Sequence, residues 1–160
     1  MNLSPHFTLA EFIASGEASR RGISNDIPIE LLANAKRTTE MLERIRAFLS
    51  ERAGRDVPLL LSSGFRCIAL NRAIGSKDDS DHPKALAADW TAPMFGRPTE
   101  IAKALAPHVD APGIGQLINE YPSEWGGWVH TGVSIPSVAA NRVITITAAG
   151  ARAGITQEQA

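Results

Sequence analysis

Cysteine is nearly absent from this 160-residue chain, where Cys67 stands alone. An internal disulfide is excluded, as are a thiolate zinc knuckle and a dithiol redox motif. Any metal must then be held by histidine and carboxylate. Aromatic residues are scarce, at 6%. Charge of either sign is in no excess: sixteen Lys+Arg oppose seventeen Asp+Glu, for a formal net charge of −1, with no basic run or stripe. A nucleic-acid partner therefore has no electrostatic footing. No apolar run approaches the roughly 18 residues that a membrane span needs, so no membrane insertion is expected. The opening Met1-Asn2-Leu3-Ser4-Pro5-His6 lacks the basic and apolar regions of a secretory signal, so synthesis in a cytoplasm is expected. What remains is 44% hydrophobic and 21% charged. That supplies the core of one domain and excludes disorder for most of the chain. The domain is read as residues 1–147, followed by a small-residue tail, Ala148–Ala160, that need not be ordered.

Local patterns predict helices first and strands mostly later. Thr8-Leu9-Ala10-Glu11 reads as a capping box opening a short helix that ends near Gly16. Leu32, Ala35, Met41, Leu42, Ile45, Phe48 and Leu49 recur at helical spacing and predict the longest helix, from Leu31 to Ala53-Gly54. Leu59–Ser62 is a short apolar run expected as a buried strand, and Cys67–Ile74 as a helix stopped by Gly75. Ala85–Thr91 reads as a small-residue strand and Pro98–Ala106 as a helix. Gly115–Glu120, Gly127–Val133 and Arg142–Thr147 read as further strands. The fold class expected is α+β, with N-terminal helices packed on a small antiparallel sheet that carries the site.

Of four histidines, two lie in unusual company. His82 follows Ser80-Asp81 at the end of a polar loop, with Asp89 seven residues on. His130 sits within Trp128-Val129-His130-Thr131-Gly132, and strand alternation puts Trp128, His130 and Gly132 on one face. Ala85, Ala87 and Asp89 share a face of the earlier strand, where small neighbours leave room to approach the carboxylate. Taken singly, a histidine in an apolar strand is more often a hydrogen-bonded core residue, and Asp89 could be a buried acceptor or strand-end cap. Together, two imidazoles and a carboxylate make a ligand set for catalytic zinc. His6 and His108 lack such company.

Between Ser63 and His130 the chain carries, in order, Ser63-Gly64-Phe65-Arg66, Leu70-Asn71, Ser80-Asp81-His82, Ala87-Ala88-Asp89 and Trp128-Val129-His130. This series resembles the zinc D-alanyl-D-alanine carboxypeptidase family, which also contains phage peptidoglycan endopeptidases. Its pattern is roughly S-G-[YF]-R, L-N, S-x-H-x-x-G-x-A-x-D and W-x-H. The opening Leu3–Phe12 and Asn25 look like the phage and prophage branch of that family. The resemblance implies zinc held by His82, Asp89 and His130. It implies peptide-stem recognition by Arg66, whose guanidinium fork suits a carboxylate or carbonyl. Ser80 would orient the metal loop or the substrate, and Asn71 would brace that loop rather than touch substrate.

Two positions depart from the family pattern. Some members carry a general base three residues before the last histidine, where this chain has Gly127. Glu120, at the end of the preceding strand, and Glu124, in the connecting turn, are the carboxylates near enough to substitute, and Glu120 is favoured. Ala85 stands where the family usually has Gly, which matters only if the backbone there needs φ > 0. Trp90, Trp125 and Trp128 are each either cleft wall or core, and Cys67 is expected as a small buried hydrophobe.

The expected activity is zinc-dependent hydrolysis of peptide stems or cross-links in bacterial peptidoglycan, as a phage or prophage endolysin. Such a protein would act as a monomer on the cell wall after the membrane is permeabilised. The alternatives are a D,D-carboxypeptidase trimming terminal D-Ala, and a catalytically silent zinc-binding virion module that holds wall peptides.

Overall fold

The structure is a computed structural model that describes residues 1–123, 126–135 and 142–156. Its scaffold is the long helix foreseen from periodicity, here α3 (Leu32–Ala53), stopped by Gly54 in a left-handed conformation. Before it come α1 (Leu9–Ile13) and α2 (Gly16–Arg21); after it come α4 (Ile68–Ala73) and α5 (Pro98–Leu105). Thr8 and Glu11 form the expected reciprocal capping box on α1. The helix α2 was not expected. Ser15 caps it and Gly22 ends it, but Ala18 is its one buried residue, so it carries no apolar stripe.

Six strands form one sheet: β1 (Leu60–Ser63), β2 (Ala87–Thr91), β3 (Ile114–Glu120), β4 (Trp128–Val133), β5 (Arg142–Thr147) and β6 (Gly150–Ala153). Their spatial order is β1-β2-β4-β3-β5-β6. The α+β class holds, with one correction to the sheet: β3 and β5 run parallel, while the other neighbours are antiparallel. The reason is topological. β4 ends with Val133 opposite Ile114, and β5 begins with Arg142 opposite Gln116. β4 ends and β5 begins at the same end of β3, so β5 is antiparallel to β4 in direction and parallel to β3. Beyond Thr147, β6 pairs with β5, and Thr145 Oγ1 and Asn119 Nδ2 both donate into residues 154–156.

Strand alternation divides the sheet into two faces with different work. Ala88, Trp90, Val129 and Leu117 point into the main core with Met41, Leu42, Ile45 and Leu49 of α3 and Ile101 and Leu105 of α5. Trp90 belongs here, and its indole N–H donates to Thr131 Oγ1 at 3.0 Å. Each such aliphatic side chain contributes roughly 1.5–3 kcal/mol on burial, so this face is where the fold gains its stability. The opposite face carries Ala87, Asp89, His130, Gly132, Ile118 and Glu120, and lies open to a cleft.

Candidate metal centre

Register places the candidate ligands. Asp89 pairs with His130 across β2 and β4, and His130 pairs with Ile118 across β4 and β3. Directly opposed residues share a face, so one row across the sheet reads Ser63, Asp89, His130, Ile118. His82 enters from above on a single 3-10 turn, His82–Lys84.

The polar atoms of these three side chains converge. His130 Nδ1 lies 2.7 Å from Asp89 Oδ1, His82 Nε2 lies 3.3 Å from the same oxygen, and the two imidazole nitrogens are 3.3 Å apart. All three residues are buried. His82 donates its Nδ1–H to the Gly64 carbonyl at 2.6 Å, which leaves the Nε2 lone pair facing the cluster. The 2.7 Å contact is a hydrogen bond that a proton on His130 satisfies, and the two 3.3 Å separations leave the same three atoms placed to share a cation. A tetrahedral zinc ion with bonds of about 2.0–2.1 Å needs ligand atoms about 3.3 Å apart. His82, Asp89 and His130 therefore fit, and could hold, a metal ion.

The charges sharpen this picture. Burial opposes the Asp89 carboxylate, but His82 and His130 outweigh it and hold its carboxyl well below the usual range. Burial pushes His82 down, which favours the neutral imidazole that a metal needs. His130 also suffers burial, yet its bond to Asp89 raises it, the direction that favours the protonated ring.

A cleft of about 610 Å³ opens over the cluster and is lined by Arg66, Ser80, Glu120 and Trp128. Arg66 is the notable case. Its side chain is only 15% exposed, its Nη2 stays 3.8 Å from Asp89 Oδ2, and its Nε has no partner. Burial lowers its affinity for a proton, partly offset by Asp89 and Glu120. A buried guanidinium with unspent donors is a docking point for a carbonyl or carboxylate. Glu120 sits one row along the sheet from His130, directly across from Trp128. Burial and the nearby Asp89 charge raise its pKa, the direction that turns a carboxylate into a proton carrier near neutrality. The Trp128 indole N–H favours the ionised form of Glu120 but has no partner at hydrogen-bond geometry.

Ser80 Oγ accepts the His82 backbone N–H at 3.4 Å, a brace for the metal loop at the cleft wall. Asn71 does not line the cleft; it is buried, and its Nδ2 donates to the Lys77 carbonyl at 2.8 Å, bracing the polar loop from below. Glu124 and Trp125 lie outside the described residues. Cys67 is half-buried, and its Sγ caps α4 by accepting the Leu70 N–H. His6 pairs with Glu43 and His108 packs on Phe48.

The two departures from the expected motif meet opposite backbone demands. Gly127 adopts φ +92°, and a Cβ there would sit 2.7 Å from the carbonyl oxygens of both Glu120 and Tyr121, so no glutamate fits that position. Ala85 does adopt φ 57°, the left-handed region that a glycine would favour. It is held there by Thr38 of α3, whose Oγ1 donates to the Ala85 carbonyl at 2.8 Å.

One supporting residue was noted in the sequence without a role. Asn25 donates from Nδ2 to the carbonyls of Ile13 and Phe65 and accepts the Cys67 N–H at Oδ1. It grips the chain on both sides of Arg66. Gly64 is required for a second reason: a Cβ there would lie 2.4 Å from the Phe12 carbonyl oxygen. Neither fact leaves a local sequence signal, because both depend on segments that meet only in the fold.

A family model described as Peptidase M15 matches residues 5–123, well over half of the chain. The chain belongs to the peptidase M15 family. Comparison with curated proteins returns no match. The family match takes in His82 and Asp89 and stops short of His130, which the β2–β4 register sets beside Asp89. Membership supports a metal-dependent peptidase acting on a peptide substrate. Among the described residues no helix is long and apolar enough to cross a membrane.

Proposed function

We propose that this M15 peptidase is a zinc enzyme that hydrolyses peptide stems or cross-links of bacterial peptidoglycan, with a phage or prophage lysis role. The observation that carries the reading is the buried His82, Asp89 and His130 set at the floor of a cleft, with Glu120 and Arg66 on the same surface. The phage assignment rests on the resemblance of Leu3–Phe12 and Asn25.

His82, Asp89 and His130 hold the ion. When bound, zinc supplies Lewis-acid polarisation and brings the acidity of water towards neutrality. Glu120 accepts a proton from the attacking water at its carboxylate and returns it to the amine nitrogen that leaves. Arg66 offers its free N–H groups to a substrate carbonyl or carboxylate and fixes the peptide over the cluster. Ser80 holds the His82 turn in place.

The test is mass spectrometry of muropeptides released from purified sacculi by zinc-loaded protein, with a chelator-treated control. Loss of cross-linked dimers, with new peptide ends that vanish under chelation, is the expected result. Loss of a terminal alanine alone would make the enzyme a D,D-carboxypeptidase. No change across walls of several cross-link types would leave a silent binding module.

A further inference from the structure

Arg66 lines two cavities. One is the metal cleft; the other, of about 280 Å³, is walled by Ser15, Gly16 and Arg20 near and along α2 and by Ser62, Ser63 and Ile74 on the β1–α4 side. Ser63 belongs to the same row of the sheet as Asp89 and His130, so the row runs out of the metal centre towards this second cavity. Adjacent strands lie about 4.8 Å apart, which puts Ser63 roughly 10 Å from His130. An extended peptide covers that distance in about three residues. Ser63 lines the second cavity, and Ile74, 38% exposed, offers it an apolar contact.

We propose that the second cavity is a remote subsite of the same active site, holding the arm of the peptide substrate that leaves the metal centre past Arg66. The inference rests on the peptidase reading above and deepens it. A carboxypeptidase has such an arm only on the amino-terminal side of the cut, whereas an endopeptidase has one on both sides. The ligand is an extended peptide with small or apolar side chains, matched to serine hydroxyls and Ile74. Remote binding of this kind raises kcat/KM rather than merely holding substrate.

Two experiments test it together. The first compares peptides sharing one scissile bond, one with at least three residues on each side and two shortened to a single residue on either side. The wild-type protein is expected to lose about tenfold or more in kcat/KM on one of the shortened peptides. Ile74→Trp, which fills the pocket and touches no ligand, is expected to impose a similar loss on the long peptide while sparing that shortened one. Equal turnover of all three peptides, or an Ile74→Trp protein indistinguishable from wild type on the long one, would overturn the subsite. The second experiment needs no turnover: NMR titration of the zinc-loaded protein with the long and shortened peptides. Amide shifts at Gly16, Arg20 and Ile74 are expected with the long peptide and with the shortened one that keeps full turnover, and not with the other. Shifts confined to the metal cleft, or none at all, would refute the subsite. Such shifts without hydrolysis of any peptide would keep the subsite and sink the peptidase reading.

Discussion

Gly127→Ala isolates the feature that separates this chain from relatives with a glutamate in that position. The added Cβ would lie 2.7 Å from the carbonyl oxygens of Glu120 and Tyr121, both backbone atoms of the turn leaving β3, and φ +92° is already costly for an L-residue. The backbone conformation costs about 1–3 kcal/mol. Relieving the overlap adds about as much, because neither carbonyl is the tip of a flexible side chain. A combined loss of about 4 kcal/mol lowers Tm by about 8–16 °C for a domain of this size. Gly126→Ala is the matched control, since its Cβ would meet only Ser123 Oγ, at 3.1 Å, and its φ is unremarkable. Thermal unfolding followed by circular dichroism on the three chelated proteins reads the difference. The functional corollary uses the double variant Glu120→Gln with Gly127→Glu, which should not regain activity. A Gly127→Ala Tm within about 2 °C of wild type, or rescue by the double variant, would refute the backbone assignment.

Other outcomes follow from the same geometry. Glu120→Gln should lower turnover by about 10²–10⁴ while binding stoichiometric zinc, read by kinetics alongside metal analysis. His130→Ala should fail to retain stoichiometric zinc after gel filtration, since two donors remain of three. Zinc at about 1,000 times its Kd should raise Tm by about 8–16 °C over the chelated protein, reversibly. The carboxyl of Asp89 is depressed on folding, so the stability it contributes is present above its ordinary value of about 4 and is lost as pH falls through the folded value. Chelated Asp89→Asn should therefore show a flatter loss of stability below about pH 4 than chelated wild type, in urea titrations across pH.

What could be read from sequence was whatever a residue's near neighbours decide. The α3 stripe, the Thr8–Glu11 box and the alternation of β2 and β4 are local patterns, and each element formed where expected. Alternation also foretold that Trp128, His130 and Gly132 would share a face. The missed elements lack such patterns. In β6, Gly150–Ala153 is exposed throughout, so no period of two can show. The parallel β3–β5 pairing depends on which end of β3 the fifth strand starts from, and composition does not record that. Trp90 and Trp128 are equally aromatic in sequence, but one lies in the core and the other in the cleft because they differ in strand parity.

The site itself shows why ligand identity is easier to read than ligand placement. Side chains that bind a metal must be His, Asp or a few others, so residue type alone narrows the choice. The groups that aim those ligands are mostly backbone carbonyls and amides. Gly64 offers its carbonyl to His82, His82 in turn offers its carbonyl to the Arg66 N–H, and Asn25 ties both flanks of Arg66 to the end of α1. The chain from Asn25 through residues 64–67 to His82 is therefore one hydrogen-bonded unit joining the N-terminal helices to the metal cluster. Asn25→Asp would keep the acceptor for Cys67 but turn a carboxylate oxygen towards the carbonyls of Ile13 and Phe65. That repulsion should displace Arg66 and tilt His82 together. Weakened zinc binding and a raised KM would then appear in one variant whose residue touches neither metal nor substrate. Loss of thermal stability alone, with both constants unchanged, would mean that the N-terminal helices only support the fold and do not set the geometry of the site.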